Sequence, residues 1–250
     1  KELIPAVSAG ALAGLTEQRT LIPVTLKLND ALGTVQKNAV AAIGTAGFTN
    51  VTDLKDIVTG VAKLSAQSVR TGLSASVDLR LTAMAAVSEN AMAGFSGIKG
   101  LAFNDLKTLA PLVTTGMLTG LSGLKADTAL TITATDLRSD IQQIALGTVS
   151  GIGQAGVSAN LAATMADAVS GESLKAVAKD GVLNPDYKAV AGKLAQGFTG
   201  GIKNISGLSS AQIAKTLKGV SSGMAGAAVL GKVTGVTSAE IAGAVASAQT

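Results

Sequence analysis

The chain has 250 residues, 47% of them apolar but only 2% aromatic, with 14% charged and a net charge of +4. It contains no Cys and no His, which excludes thiol nucleophiles, disulfides, imidazole acid–base chemistry and the zinc and haem sites built from those side chains. The mild positive charge is spread along the chain and stacking aromatics are nearly absent, which argues against a nucleic-acid platform.

The charged share lies well below the roughly 25% of an ordinary domain. The surface must therefore rely on Ser, Thr, Asn and Gln, or be covered by other copies. Ala, Val, Leu and Ile supply the apolar share, and the 30 glycines allow such small side chains to be packed by close backbone approach.

Along the chain, residues 1–22 read as a lead-in and residues 23–250 as an array of about nine degenerate units, the first anchored near Leu28. The next two joins show the repeat most clearly: GFTNVTDLKD from Gly47, then GLSASVDLRL from Gly72. The pattern is a Gly, an apolar residue, a capping residue and a Leu-like anchor. The Gly–apolar steps are Gly47–Phe48, Gly72–Leu73, Gly100–Leu101, Gly156–Val157, Gly181–Val182, Gly207–Leu208 and Gly235–Val236; at the copy near residue 128, Thr128 replaces the Gly. The anchors are Leu54, Leu79, Leu106, Leu137, Leu161, Tyr187, Ile213 and Ile241, about 27 residues apart. Such a period marks stacked-unit architectures.

Each unit reads as a helix start. Thr52, Ser76, Asn104, Thr135, Ser158, Asn184, Ser210 and Ser238 stand two or three residues before the anchors, as caps for orphan amides. Pro185 suits a first helical position, and the Asp residues of TDLK and NDLK complement the positive end of a helix. Beyond the cap, Leu54, Ile57, Val58, Val61, Leu64 and Val69 recur at spacings of three and four, a helical stripe. The Gly–apolar step predicts a left-handed Gly past a helix end, followed by an apolar residue packing back. The recurring interior glycines Gly60, Gly116, Gly171, Gly192 and Gly219 favour two short helices per unit with a turn between them, since an interior Gly costs about 1 kcal/mol in a helix. The fold expected is all-α: helical repeats stacked into an α-solenoid or elongated bundle. The last unit, from Gly235, has sixteen residues and no charged cap, so the array is expected to continue or to be covered by another subunit.

Several strings resemble chemical motifs. GIGQAG carries the only candidate cofactor-binding residues, Gly151, Gly153 and Gly156; a dinucleotide site needs such a loop between a strand and a helix, with an acidic residue such as Asp180 beyond it. GAAVLGKV, Gly226–Val233, fits a phosphate loop but has Val233 where Ser or Thr should hold magnesium. Ser96–Lys99 and Ser122–Lys125 fit SxxK without the further elements of an acyl enzyme. Asp53 with Asp56, Asp136 with Asp140, and Glu172 with Asp180 could pair as acid and base, but helix-dipole complementation accounts for the first two pairs. Tyr187 reads as core, and Asn50 and Asn204 head glycosylation strings.

No catalytic residue, metal ligand or cofactor is assigned. The expectation is a non-enzymatic structural or interaction protein at the cell surface or secreted, partnered by copies of itself or another protein, with no nucleic acid. The first alternative is a membrane-associated helical protein. It rests on Ile141–Ala166, which lacks charge but carries three Gln, one Asn and four Gly, and on the small-xxx-small pairs Gly116/Gly120 and Gly147/Gly151. The second is a nucleotide-binding enzyme using Gly151–Gly156.

Overall fold

A computed structural model describes residues 2–18, 28–46, 51–125, 132–155, 157–180, 187–230 and 237–247. Within them the chain forms ten α-helices and no strand. The odd helices are α1 (Leu3–Glu17), α3 (Val51–Gly72), α5 (Phe103–Lys125), α7 (Ala159–Asp180) and α9 (Ser210–Leu230). The even ones are α2 (Leu28–Thr45), α4 (Val77–Gly94), α6 (Ala134–Ile152), α8 (Tyr187–Lys203) and α10 (Ser238–Ser247). Helices α1 to α9 each pack chiefly on a helix two places along the chain and more lightly on their immediate neighbours, while α10 packs equally on α8 and α9. Two layers result, one odd and one even, joined by a continuous core of Leu, Ile, Val, Met and Ala. This is the all-α stacked array that the periodicity predicts.

Each unit of about 27 residues is one long helix, not two short ones. Gly60, Gly116, Gly171, Gly192 and Gly219 all lie inside continuous helices. A two-helix hairpin of about 50 residues is therefore the structural repeat, with odd helices beginning at 3, 51, 103, 159 and 210. The lead-in contains α1, which packs on α3 as the first odd helix: Pro5 lies against Gly60, Ser68 Oγ donates to the Ala9 carbonyl, and Leu12 is fully buried.

The interior glycines are explained by what they touch. A methyl on Gly116 or Gly120 of α5 would run into the Thr59 and Lys63 carbonyls of α3. Gly147 and Gly151 of α6 meet the Ala85 and Glu89 carbonyls of α4 in the same way, Gly197 and Gly201 of α8 meet those of Gln142 and Leu146 on α6, and Gly219 and Gly223 of α9 meet those of Ala163 and Asp167 on α7. All eight would put a Cβ inside the 3.0 Å that real Cβ atoms essentially never breach. Each pair is spaced by four and meets carbonyls spaced by four in the same sense, so the two helices run parallel with their backbones in contact. Successive helices then run antiparallel, as the four-residue link 73–76 between α3 and α4 requires. Loss of side-chain packing is offset by the closer approach of backbone atoms, including Cα–H groups directed at carbonyls. Of the five glycines that suggested turns, Gly192 alone has nothing within 4 Å.

Helix ends follow the expected logic with shifted residues. Gly100 (φ 82°) and Gly207 (φ 78°) adopt the left-handed conformation, and Leu101 and Leu208 pack against the core behind them. Gly72 instead ends α3 against Thr16, and Gly47, Gly156, Gly181 and Gly235 lie outside the described residues. The caps sit earlier than expected. Thr133, not Thr135, caps α6 by accepting from the Asp136 amide; Ser209, not Ser210, caps α9; and Thr237, not Ser238, caps α10. In the last two, Gln212 and Glu240 bond back to the cap residue's amide, completing capping boxes. Asp105 does the same for Ala102 ahead of α5, where Asn104 lies inside the helix. Thr52 is likewise inside α3, and Ser76 flanks α4 without a side-chain bond. Asn184 lies outside the described residues.

Candidate functional site

The densest cluster of charge is buried where α3, α4 and α6 meet. Arg80 of α4 is 1% exposed and reaches two carboxylates of α6: its Nε donates to Asp140 Oδ1 at 2.8 Å and its Nη2 to Asp136 Oδ1 at 2.9 Å. Arg70, near the end of α3, approaches from the odd layer, with Nε 3.4 Å from Asp140 Oδ2 and Nη2 4.0 Å from Asp136 Oδ2. The Arg70 contacts are ion pairs without hydrogen-bond alignment, leaving Arg70 Nε and Nη1 and Asp140 Oδ2 without a hydrogen bond. Asp140 is sealed, while the Asp136 side chain is 25% exposed.

The two carboxylates respond in opposite directions. A hydrogen bond from Thr133 holds Asp136 below its ordinary range, helped by Arg80 and Arg70 against a smaller effect of burial. Burial pushes Asp140 up, with Arg80 and then Arg70 pulling it back. Burial also lowers the Arg70 guanidinium, against the attraction of Asp140. Asp136 and Asp140 are therefore brought together, but with arginines rather than with a substrate. Their reading as simple dipole complements holds only for Asp136. Asp140 is the seventh residue of α6, beyond the first turn in which the dipole acts.

The same cluster corrects one anchor. Leu79 is 39% exposed, because Arg80 takes the inward position of α4. The buried stripe of α4 runs through Arg80, Ala83, Met84, Val87 and Ala91, and Leu79 falls outside it. Leu54, Leu137 and Ile241 are buried as expected, and Leu106, Leu161 and Ile213 are partly buried. The side chain of Tyr187 lies outside the described residues.

GIGQAG has no preceding strand: Gly151 lies inside α6 and Gly153 follows its last residue. Its described residues are used in packing. Gly151 rests on the Glu89 carbonyl, Gly153 on Ile205, and Gln154 Nε2 donates to Glu89 Oε1. Burial raises the Glu89 carboxyl, and the Gln154 amide opposes that. Gly156 lies outside the described residues. Gly226 and its successors to Leu230 are helical, again with no strand, and residues 231–233 lie outside. Ser96 and Ser122 spend their hydroxyls on the Ala93 and Leu118 carbonyls. Glu172 pairs with Lys175 at 2.7 Å rather than with Asp180, whose side chain is not among those described. Asn204 donates to Ser150 Oγ, and Asn50 lies outside the described residues.

Two grooves remain. One, of about 670 Å³, opens between α3, α5 and α7 and is lined by Lys55, Lys107, Pro111, Thr115, Asp167 and Glu172 among others. Its opposed charges and lack of a nucleophilic cluster give no reaction class. The other, about 410 Å³, lies between α1 and α2 and is lined by Leu3, Ile4, Val7, Ala11, Val35 and Ala39, with Ser8, Asn38 and Ala42. Leu3 and Val7 are 74% and 63% exposed, the most exposed large apolar side chains among the described residues. Behind it, Gln36 Oε1 accepts from Ser8 and from Ser65, tying α1, α2 and α3 together.

Among the described residues no helix is long and apolar enough to cross a membrane. The small-xxx-small pairs Gly116/Gly120 and Gly147/Gly151 are already occupied by contacts within the stack. No family model matches the chain, and no curated protein matches it either.

Proposed function

We propose that the chain is a non-enzymatic structural protein, a helical-repeat scaffold that self-associates as a filament or surface-layer subunit at the cell surface or outside the cell. The observation that carries this reading is the repeated backbone contact. One kind of junction, glycines on one helix against carbonyls of the next but one, is used four times along the stack. Such a junction is indifferent to how many helices precede or follow it, so the surface that joins hairpins within the chain also suits joining chains. Sparse charge supports the reading, because little desolvation opposes burial of such surfaces. The exposed apolar groove between α1 and α2 supports it further.

The test is sedimentation and negative-stain microscopy over a range of concentration. Oligomers that grow with concentration are expected. A monodisperse monomer at millimolar concentration would overturn the reading.

A further inference from the structure

Glycine pairs close the odd layer between α3 and α5 and between α7 and α9, while the junction of α5 with α7 stays open as the groove of about 670 Å³. Closed junctions flank it on both sides, so it lies inside the stack whatever precedes or follows the chain. Its volume falls within the roughly 300–1,000 Å³ of small-molecule sites. Charge is sorted by helix around it. Lys55 of α3 and Lys107 of α5 line one wall, and Asp167 and Glu172 of α7 line the other. Among the described residues no ion pair joins the two walls. Glu172 reaches only Lys175 on its own helix, and with the two side chains 50% and 40% exposed that pair holds Glu172 weakly. Lys55, Lys107 and Asp167 form no ion pair with any described residue.

The floor of the groove breaks a rule of local structure. Pro111, buried, and Leu112, half-buried, both line it. Pro111 stands inside α5, where it weakens its own helix and removes the donor that the Lys107 carbonyl would otherwise meet. Such breaches concentrate where function requires them. This one leaves a carbonyl acceptor on the stretch of α5 that lines the groove.

We infer that the groove binds a small zwitterion of amino-acid type, one molecule carrying both an ammonium and a carboxylate. The carboxylate meets Lys55 and Lys107, and the ammonium meets Asp167 and Glu172. The Lys107 carbonyl accepts a further N–H, and the apolar part of the ligand lies on Pro111 and Leu112. A singly charged ligand would satisfy one wall and face like charge on the other. An uncharged one would desolvate both walls without pairing either. Free amino acids and short peptides share the required chemistry. The inference goes beyond the scaffold reading and does not depend on it, since a chain that never self-associates carries the same groove.

Calorimetric titration of the full chain with L-leucine and with trialanine tests it, each beside its N-acetylated and its C-amidated form. One or both of the free zwitterions should bind, more weakly as salt is added, and either blocking group should raise the Kd at least about tenfold. Lys55→Gln with Lys107→Gln should shrink the penalty of amidation, and Asp167→Asn with Glu172→Gln that of acetylation. Ala168→Leu fills the groove and should abolish binding. Far-ultraviolet dichroism and melting establish that each variant is folded, and the two charge variants keep the inference testable should Ala168→Leu fail to fold. Binding of leucine alone would support an amino-acid site, and binding of trialanine alone a peptide site. No binding of either to the parent at up to about 10 mM would overturn the inference. Binding that a folded Ala168→Leu or both charge variants leave intact would overturn it by placing the ligand elsewhere. Binding indifferent to both blocking groups would overturn it by removing the zwitterion.

Discussion

The junction of α4 with α6 and that of α5 with α7 are built from the same repeat yet differ sharply. At the first, Gly147 and Gly151 admit the backbone of α4, and the Arg80–Asp136–Asp140 cluster clamps the start of α6. At the second, no glycine lines the interface. Thr108, Leu112 and Thr115 of α5 face Asp167, Ala168 and Glu172 of α7 across a cavity of about 670 Å³. Pro111 lies within that stretch of α5, where it leaves the Lys107 carbonyl without its usual donor. Residues with a Cβ, even small ones, keep two backbones apart, so the glycine pair decides whether neighbouring helices touch or leave a groove.

The difference can be broken first at its charged end. Asp140→Ala leaves Arg80 without its buried partner and should cost about 3–5 kcal/mol, seen as a lower denaturant midpoint. Replacing Arg70, Arg80, Asp136 and Asp140 together by apolar residues of similar volume should cost far less, because the cluster's Coulomb attraction roughly cancels its desolvation. Acid provides a smaller effect. Asp136 has a folded pKa below its ordinary 3.8, so its stabilisation is present above that value and is lost as pH falls through the folded pKa. Asp136→Asn should therefore be less stable than the parent at pH 7, with the gap closing below pH 3.8 in urea titrations. Glu240, held down to about 2 by Lys188 and Thr237, adds a loss of the same sign at the far end. Asp140, raised by burial, acts in the opposite sense. The smallest change belongs to the open junction, where Ala168→Leu should alter stability by no more than about 0.5 kcal/mol because the groove has room for it.

Much of this was legible in the sequence. The stripe from Leu54 to Val69 reads directly as α3, and the Gly–apolar steps at Gly100 and Gly207 read as helix ends, because local backbone chemistry dictates both. The interior glycines were misread as turns. Propensity counts only the cost of Gly within its own helix, whereas the compensating contact lies on another helix some fifty to sixty residues away. Their four-residue spacing was the available signal. The capping boxes could also have been found, since TATD, SSAQ and TSAE place an acceptor three residues after each true cap. The ionic cluster was only half legible. Asp140 lies too deep in α6 for the dipole to explain it, but nothing local ties it to Arg70 and Arg80 across three helices.

The central claim is that glycines at the closed junctions are there for contact. In an exposed helix interior, Gly→Ala should stabilise by roughly 0.5–1 kcal/mol. Equilibrium unfolding of Gly147→Ala, Gly201→Ala and Gly219→Ala beside Gly192→Ala and Gly226→Ala, the last two with nothing within 4 Å, tests this directly. The expected result is a reversal of sign, with the first three variants destabilised and the last two stabilised. Stabilisation of all five alike would contradict it.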